Sequence, residues 1–173
     1  SARATVCILA FPLELFDGRA RGPGRGVLPA VKAVFFPLER AFPTVKSLSL
    51  FPLIMALKAA VEARAFDALL VDRGGYVGEG AVSNLFIVKR GVLYTPRRGV
   101  LSGIARDAVL RVARRLVREK KIKKIRYSFF KRGTVLRADE VFLTNAPTGI
   151  ASVVKIGDRK IGGGKAGPIT KLL

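Results

Sequence analysis

The apolar run at residues 4–11 (ATVCILAF), rich in β-branched side chains and closed by Pro12, predicts an interior strand. Residues 31–36 predict a second. Between them, 18–26 (GRARGPGRG) is Gly- and Arg-rich and reads as a loop. It looks like a phosphate cradle but lacks the Gly-Lys-Ser/Thr ending and the helix pattern of a P-loop. At 52–65 the period changes. Leu53, Leu57 and Val61 recur at helical spacing, and Pro52 suits a first turn. Residues 67–72 then predict a strand, Arg73-Gly74-Gly75 a turn, and 76–78 a short strand. Segments 84–89 and 92–95 form a hairpin across Arg90-Gly91. A long amphipathic helix follows over 103–121. A helical turn at 135–138, strands at 140–144 and 153–156, and a short segment at 168–173 complete the chain. Strands and helices alternate without regular βαβ repeats, so the expected fold class is α+β, a pseudo-barrel rather than a doubly wound sheet.

Composition narrows the chemistry. With 173 residues, 50% of them hydrophobic, the chain has enough apolar surface for one sizeable core, and 1–173 is expected to be a single domain. The longest uncharged stretches, 47–57 and 141–154, fall short of the roughly 20 apolar residues of a spanning helix. Residues 4–13 have the length of a signal-peptide core, but Pro12, the missing small-x-small site and the following Glu14 favour a buried strand and a cytoplasmic protein. The absence of histidine excludes Ser-His-Asp and Cys-His hydrolysis and His-ligated zinc. A lone cysteine, Cys7, excludes an internal disulfide. Any enzyme chemistry must therefore use Lys, carboxylates, hydroxyls, backbone amides or a borrowed cofactor.

Charge is the conspicuous excess: 32 Lys plus Arg against 12 Asp plus Glu, a net +20. Between Arg111 and Arg132 stand eleven basic residues and one acid, Glu119, half of that total. Such clustering invites a nucleic-acid reading. Stacking aromatics are scarce there, however, and Tyr127, Phe129 and Phe130 alternate as in a strand. The preferred reading is a solvated helix face followed by a basic loop, with nucleic acid not the expected partner. A non-catalytic protein that binds polyanions through this segment is the rival.

Motifs carry more than charge. Val45-Lys46-Ser47-Leu48-Ser49-Leu50 precedes the first helix. Then come Asp67-Ala68-Leu69-Leu70-Val71-Asp72 and Gly75-Tyr76-Val77-Gly78-Glu79-Gly80-Ala81-Val82-Ser83-Asn84-Leu85-Phe86. Tyr94-Thr95-Pro96, Leu101-Ser102-Gly103-Ile104-Ala105-Arg106, Ala138-Asp139-Glu140-Val141-Phe142 and Gly167-Pro168-Ile169-Thr170 follow. In order and spacing these blocks resemble the large domain of class IV (fold type IV) pyridoxal-phosphate enzymes, the family of branched-chain and D-amino-acid aminotransferases and aminodeoxychorismate lyase. The resemblance runs from about Ala4 to the end. It implies pyridoxal 5'-phosphate as cofactor, amino-acid and 2-oxo-acid substrates, and a homodimer when complete. Family members also carry a small N-terminal domain to which nothing here corresponds, so 1–173 is expected to be the cofactor-binding part of a longer enzyme.

The resemblance assigns roles residue by residue. Lys46 matches the lysine that carries the cofactor as an aldimine and shuttles the substrate proton, a task open to a lysine whose pKa is lowered by desolvation or nearby cations. Glu79 matches the carboxylate that faces the pyridine nitrogen and keeps the ring an electron sink. Ser83 and Asn84 continue the same block as cofactor-binding residues. The N–H groups of Ile104 and Ala105 would meet the phosphate at the start of a helix, while Arg106 braces the loop. Ala105 stands where the family usually has Thr. Asn145 and Ala146, in the turn at 144–150, form the second half of the phosphate cup. There Ala146 lacks a hydroxyl and Pro147 an N–H. The Asn145-Ala146 pair, the Lys46 block and Arg40 resemble the D-amino-acid aminotransferase and lyase branch, and Phe51 stands where branched-chain enzymes place Tyr. Transamination is the implied reaction, and pyruvate elimination by the same lysine is the alternative.

Overall fold

The structure, a computed structural model, describes residues 27–47 and 50–173. The expected strand 4–11, the loop 18–26 and Cys7 lie outside the described residues. Fourteen elements follow in the rest: β1 (Val27–Pro37), α1 (Phe51–Glu62), β2 (Asp67–Val71), β3 (Tyr76–Gly80), β4 (Asn84–Lys89), β5 (Val92–Pro96) and α2 (Ile104–Arg118). Then come β6 (Lys124–Ser128), β7 (Phe130–Lys131), α3 (Arg132–Leu136), β8 (Glu140–Asn145), β9 (Gly149–Ile156), β10 (Arg159–Lys160) and α4 (Pro168–Leu172). Among the described residues no helix is long and apolar enough to cross a membrane.

Strands β4, β8, β9, β1, β2 and β3 neighbour one another in that order, and the pairing of Glu79 with Asn84 joins β3 back to β4. Six described strands thus close into the pseudo-barrel that the alternation of elements implied. β1 runs parallel to both β9 and β2, and β5 and β6 extend the sheet outward from β4.

The strands read as continuous apolar runs because both of their faces are covered. Leu85 and Ile87 of β4 and Val141 and Leu143 of β8 join Leu69, Val71 and Val153 in one buried cluster. Their alternates, Phe86, Val88 and Phe142, pack with Val109, Leu110, Ala113 and Leu116 of α2. Phe86 and Phe142 stack with centroids 4.9 Å apart. α1 covers β2 through Ala56 and Ala60 against Ala68 and Leu70.

Three expectations need correction. The basic loop after the long helix is strand β6, in keeping with the strand-like alternation of Tyr127 and Phe129, and only Ile125 ties it to the α2 core. The helical turn at 135–138 lies earlier, as α3, and the strand at 153–156 is the end of the longer β9. β10, returning across Gly157 (φ 56°), has no sequence signal beyond that glycine.

Candidate functional site

The barrel closes on one residue pair, and that pair is chemical. Glu79 and Asn84 stand opposite each other, and the chain between them turns tightly, with the Gly80 N–H donating to the Ser83 carbonyl at 2.7 Å. Asp67, the first residue of β2, sits fully buried beneath this turn. Its Oδ1 accepts from the N–H groups of Ala68 (2.7 Å) and Ala81 (3.0 Å), and its Oδ2 accepts from Ser83 Oγ (2.5 Å). Gly80 has no room for a side chain, since a Cβ there would lie 2.2 Å from Asp67 Oδ2.

Burial raises the Asp67 pKa, with the Ser83 hydroxyl and the backbone donors pulling the other way. A raised folded pKa means that the native state holds this proton more tightly than the unfolded chain. The resulting stability is complete below the ordinary value of 3.8 and lost as pH rises through the folded value. Asp67→Asn should therefore flatten the fall of unfolding free energy as the pH rises above the ordinary value of 3.8. Urea titrations of both proteins check this, and parallel curves would remove Asp67 from the account.

Glu79 is only 4% exposed. Its Oε1 accepts from Arg40 Nη1 at 2.5 Å, and its Oε2 accepts from the Leu101 N–H at 2.9 Å and from Asn84 Nδ2 at 3.1 Å. Asn84 Nδ2 also donates to the Leu101 carbonyl at 2.9 Å. Burial pushes the Glu79 carboxyl above its usual range, while Arg40 and the Leu101 N–H oppose the shift. Arg40 reaches further, donating from Nη2 to the Val45 carbonyl at 3.1 Å. It thereby ties the carboxylate to the residue just before Lys46, which is exposed on the β1–α1 connection.

Asn84 also touches the start of α2. A Cβ on Gly103, the residue capping that helix, would lie 2.2 Å from Asn84 Oδ1. Its φ of −74° suits any residue, so space alone demands glycine. Gly103→Ala is expected to push the Asn84 amide off Glu79 and to destabilise the protein by about 1–3 kcal/mol. Thermal denaturation reads this, and an unchanged midpoint would show that Asn84 swings aside freely.

The first turn of α2 has no side-chain cap, which leaves the N–H groups of Ile104 and Ala105 turned out of the helix end. Arg106 is buried beside them but faces away, donating from Nε to Thr95 Oγ1 (3.3 Å) and from Nη2 to the Pro96 carbonyl (3.1 Å). It is the brace that the sequence suggested. On the neighbouring strand Thr144 pairs with Asn84, and its buried Oγ1 has no hydrogen-bond partner among the described residues. The turn beyond it is held by Asn145, whose Oδ1 accepts from the N–H of Thr148 (2.9 Å) and from its hydroxyl, leaving Ala146 exposed at the tip.

The fold thus brings Glu79, Asn84, the start of α2 and Thr144 to one end of the barrel. Lys46 is tethered to them through Val45 and Arg40. The Ser83 hydroxyl is committed to Asp67 and braces the turn. Asp67 is a neighbour to which sequence reasoning gives no role, while Arg40 enters there only for its branch resemblance and Thr144 only as the start of the phosphate-cup turn. Asp67 had one faint signal, an acid heading a wholly apolar strand. A cavity of about 590 Å³ shares Glu79 and Arg40 with this cluster and opens towards Leu38, Tyr76, Arg98 and Phe129.

Comparison with known proteins identifies the family and the fold. The model of the family described as amino-transferase class IV matches residues 3–156. The branched-chain-amino-acid aminotransferase of Pseudomonas aeruginosa is 38% identical over 125 residues, 69% of this chain and 38% of that enzyme. Among solved structures, the branched-chain amino acid aminotransferase from Thermobaculum terrenum in its PLP-bound holo form superposes with a TM-score of 0.73 at 27% identity. That match covers 82% of this chain and 48% of the other. A protein from Legionella pneumophila described as a 4-amino-4-deoxychorismate lyase gives 0.70 at 27% identity, covering 81% and 52%. The chain spans about half or less of the length of each.

Proposed function

The chain belongs to the class IV aminotransferases, and from that premise we propose that it is the large domain of a two-domain enzyme that binds pyridoxal 5'-phosphate. The complete enzyme moves an amino group between an amino acid and a 2-oxo acid. The observation that carries this reading is the Glu79 carboxylate, fixed at the barrel closure by Arg40, Asn84 and Leu101 beside the open end of α2.

The residues present fit the cofactor. Ile104 and Ala105 offer two backbone N–H groups and the positive end of a 15-residue helix to a phosphate. The partnerless hydroxyl of Thr144, across from Asn84, supplies a further donor. Asn145 shapes the turn that presents the Ala146 N–H. When bound, pyridoxal phosphate withdraws electrons from the substrate Cα through its protonated ring. Glu79 keeps a negative charge at that ring nitrogen, and Asn84 and the Ser83–Asp67 bond hold Glu79 in register. Lys46 supplies the amine that holds the cofactor and takes up or returns the proton at the substrate Cα.

A homodimer and a cytoplasmic setting complete the proposal. Phe51, Ile54 and Met55 form an exposed apolar face on α1, 42–73% accessible, directly after the Lys46 segment, and a second subunit would cover it. The test is a turnover panel with the full-length protein loaded with pyridoxal phosphate. D- and L-amino acids are paired with 2-oxo acids, against aminodeoxychorismate alone. Amino transfer is the expected result. Pyruvate release from aminodeoxychorismate without any amino transfer would establish the lyase reading, which the Asn145-Ala146 turn and the lyase neighbour favour.

A further inference from the structure

The cation-rich stretch between Arg111 and Arg132 changes character once folded. Pairing of β7 with β3, with Lys131 opposite Tyr76, brings Tyr76 beside Phe129. Their rings meet edge to face, with centroids 5.8 Å apart. Both remain exposed, Tyr76 at 39% and Phe129 at 44%. Each also carries a cation, with Lys131 Nζ 4.0 Å from the Tyr76 centroid and the Arg98 guanidinium 5.2 Å from that of Phe129. Both rings border the 590 Å³ cavity.

Two rows of cations lead to this pair. Arg111, Arg114 and Arg118 lie exposed along one side of α2, while Lys123, Lys124 and Arg126 lie exposed along the turn and strand that run into Phe129. α2 packs on β6, so the rows adjoin, and β6 is an edge strand among the described residues. Among the described residues none of these six forms a salt bridge, and Arg118 only adds to the field that lowers the Glu119 pKa. Glu119, the single acid of the stretch, is taken by Arg115 (3.6 Å) and Lys121 (2.8 Å). Six unpaired cations held side by side repel one another, and a polyanion removes that repulsion.

We propose that this edge binds a single-stranded polynucleotide. Its phosphates follow the cations of α2 and β6, and one or two bases stack on Tyr76 and Phe129. The rings choose between polyanions. A duplex keeps its base faces covered, and an acidic protein or an anionic membrane offers no flat π-faces, whereas exposed aromatics flanked by cations suit unpaired bases. The inference does not rest on the enzymatic reading: none of these cations or rings is bonded to Glu79, although Glu79 and Arg40 line another part of the cavity that the rings border.

The test uses the full-length protein and a fluorescein-labelled 20-nucleotide oligouridylate, followed by anisotropy between 50 and 300 mM salt, conditions set by the steep salt dependence of such contacts. With about six phosphates neutralised, the slope of log affinity on log salt should be about −4. Tyr76→Ala and Phe129→Ala should each weaken binding by about five- to a hundred-fold at unchanged slope. Arg114→Glu with Arg118→Glu should flatten the slope by about 1 to 2. Tyr76→Phe should bind as the parent does, which separates loss of the ring from loss of the fold. The proposal is overturned by no binding at 50 mM salt, by aromatic variants that bind normally, or by failure of the Tyr76→Phe rescue. Equal competition by duplex RNA, polyglutamate or phosphatidylserine vesicles, marking unspecific attraction, overturns it too.

Discussion

Lys46→Ala is expected to leave a folded protein from which pyridoxal phosphate can be dialysed away even after borohydride reduction, with amino transfer reduced by at least about a thousand-fold. The side chain is exposed and makes no hydrogen bond or ion pair among the described residues, so the substitution removes an amine without opening the core. Surface changes of this kind shift stability by no more than about 0.5 kcal/mol, and the thermal midpoint should hardly move. Two other lysines serve as controls. Lys32 donates from Nζ to the Ala63 carbonyl at 2.9 Å, and Lys58 lies 3.9 Å from Glu62 on the face of α1. Neither is bonded to Arg40 or Glu79, and Lys58→Ala should retain the reduced cofactor as the parent does. The mass of the borohydride-treated protein reads the result directly. An adduct that persists in Lys46→Ala would place the attachment on another amine and remove the central residue of the proposed function.

What the chain revealed in advance follows from how local each feature is. The β4–β5 hairpin was legible because Arg90 (φ 51°) and Gly91 (φ 77°) adopt the left-handed pair that a two-residue turn requires. α2 was legible because its apolar stripe recurs at helical spacing over four turns. β6 was only half legible: Tyr127 and Phe129 alternate, but a strand that buries only Ile125 against α2 has no apolar face to mark where it begins. Barrel closure rests on one residue pair and leaves no trace in either strand alone. The site divides along the same line. Glu79 and Asn84 belong to one short motif and could be named from it. Arg40 lies 39 positions from its partner Glu79, and nothing near it in the chain announces the bond. Ser83 belongs to the same motif, but its hydroxyl donates to Asp67, a carboxylate that begins a different strand and that the motif does not announce. The aromatic pair was hidden for the same reason, as Tyr76 meets Phe129 only through the β3–β7 pairing.

The second large effect is expected at Glu79. Replacing it with alanine leaves the Arg40 guanidinium, whose side chain is only 15% exposed, without its anion. The Leu101 N–H loses its acceptor as well, and Asn84 Nδ2 keeps only the Leu101 carbonyl. Breaking a buried pair from one side costs about 3–5 kcal/mol. For a domain of this size that lowers the thermal midpoint by roughly 6–20 °C. Glu79→Gln keeps the shape and removes the charge. It should cost about 1–3 kcal/mol, because one amide N–H must now face a donor. It should nevertheless reduce amino transfer by about a hundred-fold, through loss of the negative charge at the ring nitrogen. The pH dependence separates the two forces on this carboxylate. Burial outweighs Arg40 and raises the folded pKa, so the stability due to the bound proton is full below the ordinary value of 4.5 and is lost as pH rises through the folded value. Glutamine has no such proton. The stability gap between the parent and Glu79→Gln, both without cofactor, should therefore narrow from pH 4 to pH 7. A gap that widens over that range would mean that Arg40 dominates and holds the carboxyl below its usual range. Glu79 would then be a fixed anion whose charge no cofactor is needed to retain.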